Sequence, residues 1–309
     1  MTPVVPHDSK HEADVKGYRD IAGDGGSNIV EQVVAQQARL AARMAPIRAS
    51  VAVVSGKGGV GKSSVTANLA GALAARGLGV GVLDADLNGP SIGKMLGVRG
   101  QILRVEPDGV RPAVSADGIR VVSMDLLLPG DDTPVVWSAP TQAEAHTWRG
   151  TMEGTALREF LADTAWGSLD LLLIDLPPGA ERLPTLLDLL PGLTGAVVVT
   201  IPSAVSHLVV RRALTLARDR GARLLGLIEN MAGYVCPTCG NVGPLFEGPG
   251  GEVMAAQHGL PFLGRVPFDP RLAAAADRGR PFVLDHGATP AAQALNSIAS
   301  AVIQGVVAA

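Results

Sequence analysis

Lys57, Lys62 and Ser63 lie in the run Gly56-Lys57-Gly58-Gly59-Val60-Gly61-Lys62-Ser63, which has the spacing of a phosphate cradle, GxxxxGK(S/T). Glycines allow successive backbone N–H groups to converge on phosphate oxygens, and a following helix N-terminus adds partial positive charge. In that chemistry Lys62 reaches the β- and γ-phosphates of ATP and the Ser63 hydroxyl coordinates Mg²⁺. Gly58, Gly59, Val60, Gly61 and Ser64 complete the nucleotide-binding set. Gly56, Gly58 and Gly61 also fit the dinucleotide pattern GxGxxG, and Asp84 closes a second strand where such a site places its ribose-binding acid. A dinucleotide site has no use for a lysine and a hydroxyl at 62 and 63, so the triphosphate reading is preferred.

Two further segments bring carboxylates to strand ends: Asp84-Ala85-Asp86 and Asp175-Leu176-Pro177-Pro178-Gly179. Ligands of an open α/β sheet bind at the carboxyl ends of its strands, and Mg²⁺ takes one or two carboxylates with phosphate oxygens and waters. Asp84 and Asp175 are therefore the candidate magnesium carboxylates, with Asp175 orienting the metal's waters. Asp86 is the candidate that positions the attacking water; the alternative is that these aspartates only cap helices. Lys57 is surplus to a phosphate loop. Such a lysine can cross a subunit interface and touch the partner's phosphates, as an arginine finger does, or it can simply be solvated.

Cys236-Pro237-Thr238-Cys239-Gly240 holds both cysteines of the chain. A 4Fe–4S cluster needs four thiolates, which a two-fold dimer would supply across its axis. A shared tetrahedral Zn²⁺ and a redox or inert pair remain open. The six histidines are scattered without ligand spacing.

These residues need a frame to position them. Strand-like runs fall at 51–55, 79–84, 119–124, 169–175, 195–201, 223–229 and 261–266, with helical stretches between most of them. That alternation predicts an α/β fold: a mostly parallel central sheet with helices on both faces. Residues 1–26 read as a flexible tail and 27–309 as one domain. That domain opens with a helix over 27–46 capped by Ser27. Residues 101–118 read as a hairpin insertion turning at Pro107-Asp108-Gly109, and 129–150 as loop-rich. The chain's 309 residues are 47% hydrophobic and only 3% aromatic, so the core is aliphatic. A net charge of −3 gives no hint of a nucleic-acid partner, and none is expected. No apolar run is long enough to span a membrane, and the segment from Ala291 to Ala309 has no basic residue to attract lipid. The first residues have no apolar signal region, so a cytoplasmic location is expected.

The sequence resembles the Mrp/ApbC-type iron–sulfur cluster carrier ATPases, within the deviant-Walker group that also holds MinD and ArsA. The resemblance covers roughly residues 40–285. It rests on Ser55 to Ser64, Leu83 to Asp86 with Gly89-Pro90-Ser91, Ile174 to Gly179, Glu229-Asn230-Met231, Cys236 to Gly240, and Val266-Pro267-Phe268-Asp269-Pro270. It implies a P-loop fold of the signature-lysine type and an ATP-sandwiching homodimer with Lys57 acting across the interface. Asn230 and the backbone around Pro267-Phe268 would hold adenine. Cys236 and Cys239 would share a 4Fe–4S cluster with the partner chain, for transfer to apo iron–sulfur client proteins. The chain departs from the pattern in places. Ala180-Glu181-Arg182 stands where Thr-Gly-Asp usually follows Pro-Pro-Gly, which implies slow or differently coupled hydrolysis. Asn88 replaces an aromatic residue, and a Trp-Arg-Gly-Pro-Met element is split between Trp137 to Pro140 and Trp148 to Met152. A MinD-type surface-binding ATPase and a zinc-bridged regulatory ATPase stay as alternatives.

Overall fold

Short aliphatic runs form the central strands of this chain, and alanine- and leucine-rich stretches form helices that return it to the same end of the sheet. The computed structural model describes residues 29–128, 130, 133, 142–179, 181–248 and 250–308. The expected tail, the Ser27 cap, Ala180 and the segment from Trp137 to Pro140 lie outside the described residues.

The chain opens with α1 (Ile29–Met44), then β1 (Ser50–Ser55), α2 (Lys62–Ala74), β2 (Val80–Asp84) and a short α3 (Ile92–Met95). A small hairpin, β3 (Arg104–Glu106) and β4 (Gly109–Arg111), turns at Pro107-Asp108, as expected. There follow β5 (Ala113–Val114), β6 (Arg120–Val122), α4 (Gln142–Asp163), β7 (Leu171–Asp175), α5 (Arg182–Leu189), β8 (Gly195–Thr200) and α6 (Ala204–Asp219). The last part holds β9 (Leu224–Val235), β10 (Val242–Gly243), α7 (Gly251–Gln257), β11 (Phe262–Phe268), α8 (Arg271–Asp277), α9 (Phe282–Asp285) and α10 (Pro290–Val307).

Nine strands form one sheet in the order β10-β9-β8-β1-β7-β2-β6-β5, with β11 parallel to β9 on the edge away from β8. Pairing is parallel except at the two ends, where β10 and β5 run antiparallel to their neighbours. Parallel neighbours need long crossovers, which the helices supply. Every residue of β1, β2, β7 and β8 is buried. Successive strand side chains point to opposite faces, so both faces of the central sheet are covered. The P-loop fold class read from the sequence is the one observed.

Every residue of α2 from Val65 to Leu73 is buried, as suits a helix enclosed between the sheet and α10. A Cβ at Gly71 would run into Pro281, so the helix sits directly on the segment that leads into α9. In contrast, α1 packs mainly on α4, and its Val33 and Val34 are exposed. Among the described residues no helix is long and apolar enough to cross a membrane.

Two expectations need correcting. The segment 129–150 is not loop throughout, because α4 begins at Gln142; Gly150 and Gly154 weaken the helical pattern there without ending it. The strand expected to stop at 229 continues to Val235. It bends at Met231, whose φ is 54°, and is held beyond that point by β10.

Candidate functional site

β8, β1, β7 and β2 are neighbours in the sheet, so the loops that follow β1, β7 and β2 emerge side by side. Gly59 and Gly61 have φ of 79° and 80°, a backbone region costly for other residues. A Cβ on Gly61 would also collide with the Asn230 amide. That amide donates from Nδ2 to the Val60 carbonyl at 2.8 Å, tying the end of the loop to β9.

Asp175 organises the site. It is wholly buried at the end of β7. Its Oδ2 accepts from Lys62 Nζ at 2.6 Å and from Ser63 Oγ at 2.6 Å, and its Oδ1 accepts from Thr66 Oγ1 at 2.6 Å. The lysine and the hydroxyl read as phosphate and magnesium ligands thus meet on the carboxylate read as orienting the metal's waters. Thr66 is absent from the sequence reading. Its spacing, one turn beyond Lys62 on the same helix face, was the available signal.

Asp84 is equally buried and differently used. Its Oδ2 accepts from the Ser91 N–H, the Ile92 N–H and Ser123 Oγ at 2.9–3.0 Å, and its Oδ1 from the Asp86 N–H at 3.2 Å. These bonds clasp the 85–92 loop to the sheet. Burial, and then repulsion from Asp175, push its carboxyl up to about 7 despite the converging donors. Asp86 is half-buried, and its Oδ1 accepts from the Gly89 N–H at 3.2 Å.

Lys57, Gly58, Gly59, Val60, Gly61, Lys62, Ser63, Ser64 and Asp86 line one cleft of about 250 Å³, closed by Met95 and Pro178. Gly61, Ser64 and Met95 also border an apolar pocket of about 320 Å³, lined by Asn230, Val266, Phe268, Leu272 and Ala273. A cleft lined by the glycine loop, Lys62 and Ser63 that opens on an apolar one fits a phosphate chain joined to a flat base. Pro267 is not in the lining. It lies between Val266 and Phe268 in β11, where the pairing with β9 shifts register. Lys57 is exposed, and among the described residues its ammonium has no partner. The Lys57 carbonyl accepts from Ser55 Oγ at 3.1 Å.

The cysteines are not in this cleft. They occupy the tip of a hairpin formed by the end of β9 and β10, where Val235 pairs with Val242 and Tyr234 with Gly243. The Cys236 N–H donates to the Asn241 carbonyl and the Gly240 N–H to the Cys236 carbonyl, both at 2.9 Å, closing the turn. Cys236 is half-buried and Cys239 exposed. Backbone N–H groups of Cys239 and then Thr238 turn toward the Cys236 sulfur and hold its thiol below the usual cysteine range. Among the described residues no group of three or more His, Cys, Asp or Glu is placed to hold a metal. Tyr234, Val242, Leu245 and Phe246 expose apolar surface around the hairpin.

The family model described as "ParA: NUBPL iron-transfer P-loop NTPase" matches residues 46–303. The chain is 46% identical over 275 residues to an iron–sulfur cluster carrier protein of Saccharolobus solfataricus, covering 89% of each. It is 42% identical over 265 residues to the cytosolic Fe–S cluster assembly factor NUBP2 of Bos taurus, covering 84% of this chain and 94% of that one. Among solved structures it is similar to a nucleotide-binding protein from Archaeoglobus fulgidus in complex with ADP. The TM-score is 0.67 at 36% identity, over 79% of this chain and 91% of that one.

Proposed function

The chain belongs to the NUBPL iron-transfer P-loop NTPase family, and we propose that it is an ATP-hydrolysing, Mg²⁺-dependent, homodimeric carrier of a 4Fe–4S cluster. The family is one of iron–sulfur cluster carriers and assembly factors, and its P-loop NTPases in general hydrolyse nucleotide. The observation that carries the finer reading is the coexistence of two sites. One is a phosphate loop anchored on buried Asp175; the other is a pair of thiols at an open hairpin tip.

In this reading backbone donors from Gly58 to Gly61 hold the phosphates and Lys62 Nζ turns to them from Asp175. Ser63 Oγ, with Asp175 beside it, holds Mg²⁺, which neutralises developing phosphate charge when bound. Asp84 holds the 85–92 loop in place through the Asp86, Ser91 and Ile92 N–H groups and, opposite Asp175 in the sheet, is the second candidate magnesium carboxylate. Asp86, carried on that loop into the cleft, positions the attacking water. Lys57 reaches the partner's nucleotide, and Asn230 with Phe268 encloses the base. The Thr-Gly-Asp that usually follows Pro-Pro-Gly is missing, with Ala180-Glu181-Arg182 in its place, and hydrolysis is correspondingly slow. Cys236 and Cys239 give two thiolates, and a second copy gives the other two that the cluster needs. The cluster is cargo, handed to apo-proteins in the cytoplasm.

Anaerobic reconstitution with iron and sulfide tests this: a brown dimer is expected from the wild type and colourless protein from Cys236→Ser. A Cys236→Ser protein that loads a full cluster would overturn the reading. Zinc in protein purified without oxygen, with no iron taken up on reconstitution, would favour the zinc-bridged alternative.

A further inference from the structure

Asn88 and Arg182 are two of the positions at which this chain departs from the carriers it resembles, and in the fold they meet on one carboxylate. Glu153, on α4, is nearly enclosed; its side chain is 12% exposed. Its Oε1 accepts from Asn88 Nδ2 at 2.7 Å, and its Oε2 accepts from Arg182 Nη1 at 3.0 Å. Asn88 lies in the loop that carries Asp86 and is clasped by Asp84. Arg182 opens α5 just beyond the loop that leaves Asp175, with its Nε 3.5 Å from Glu181 Oε1. β2 and β7 are paired neighbours, with Asp84 opposite Asp175, so these are adjacent loops on the rim of the phosphate cleft.

We propose that Asn88, Glu153 and Arg182 form a latch that fixes the spacing of the Asp86 and Asp175 loops, making them positioning residues for ATP hydrolysis. This inference rests on the ATPase reading above. The physical basis is that an enclosed carboxylate with an arginine on one oxygen and an amide on the other makes a strong, directional bond to each loop. Removing the arginine leaves that carboxylate, 12% exposed, with Asn88 as its remaining donor among the described residues. Neither loop can then shift without breaking a bond to the same residue, so a change at one is felt at the other. Arg182 therefore has a role of its own, reached through α4 rather than through the nucleotide.

Hydrogen exchange on the full chain reads the latch without turnover. Arg182→Ala should make amides of residues 85–91 exchange several-fold faster, although Arg182 connects to them through Glu153. Unchanged exchange there would overturn the latch. In steady-state kinetics, Glu153→Gln and Arg182→Gln should each lower kcat about tenfold, with KM for ATP within about twofold. The double variant should be no slower than either single one, and Arg182→Lys should recover part of the rate. Additive losses, or a loss confined to KM, would contradict the proposal. A wild type without turnover would sink the ATPase reading instead, leaving the exchange result to judge the latch.

Discussion

The phosphate loop and the cysteine hairpin are built on opposite plans. At the loop, the Lys62 side chain is 7% exposed and that of Asp175 fully buried, and each group has its partner within the same chain. At the hairpin, Cys239 is exposed and Cys236 half-buried, and two thiols are all that the described residues offer a metal. The first arrangement suits a site that must return to one geometry after every nucleotide. The second suits a site that must take on cargo and give it up. In the proposed function the nucleotide site is nearly complete in one chain, lacking only the partner's Lys57, and the cluster site is half of one.

Substitutions at the two sites should therefore behave differently, and the largest effect belongs to the buried one. Lys62→Ala should abolish ATP binding in calorimetry and lower the unfolding free energy by about 3–5 kcal/mol, because Asp175 is left as a buried charge without its ion-pair partner. Retained binding would break the contrast.

Asp84 comes next. Its carboxyl is raised to about 7 in the folded chain from an ordinary value of 3.8. Between those values the folded state keeps a proton that the unfolded chain has released. The contribution to stability is full below pH 3.8 and is lost as pH rises through about 7, by a few kcal/mol. Asp84→Asn should flatten this slope in urea melts between about pH 5 and pH 8. An unchanged slope would show that Asp84 is not its source.

Lys57→Ala should leave ATP affinity in place and slow turnover roughly a hundredfold if the lysine acts on the partner's nucleotide. Equal loss of binding and turnover would move its action to its own nucleotide. The smallest effect is at the hairpin. Cys239→Ser should change the unfolding free energy by no more than about 0.5 kcal/mol, as exposed positions do, while cluster loading is lost. A large loss of stability would mean that the thiols have a structural role.

Much of this frame is legible in the sequence because its signals are local. A β-branched run, a glycine turn and an alanine-rich stretch locate β1, the loop and α2, and the same reasoning locates β7 and β8. The features that escaped it are long-range or very short. Glu153 is 65 residues from Asn88 and 29 from Arg182, and nothing in the spacing joins them. β10 is two residues long, too short to show alternation, so the hairpin that lifts the cysteines out was not expected. Asp84 and Asp175 look alike as aspartates ending neighbouring strands. Only the surrounding donors separate the clasp of a loop from the partner of Lys62.

The contrast between a nearly self-sufficient nucleotide site and a half-built cluster site can be tested by stoichiometry. Iron, sulfide and molecular mass should be measured together on anaerobically reconstituted full-length protein. The proposed function requires about four irons and four sulfides per two chains, in a species of dimeric mass that the Cys236→Ser variant does not form. A cluster carried by monomeric protein, or one cluster per chain, would contradict it.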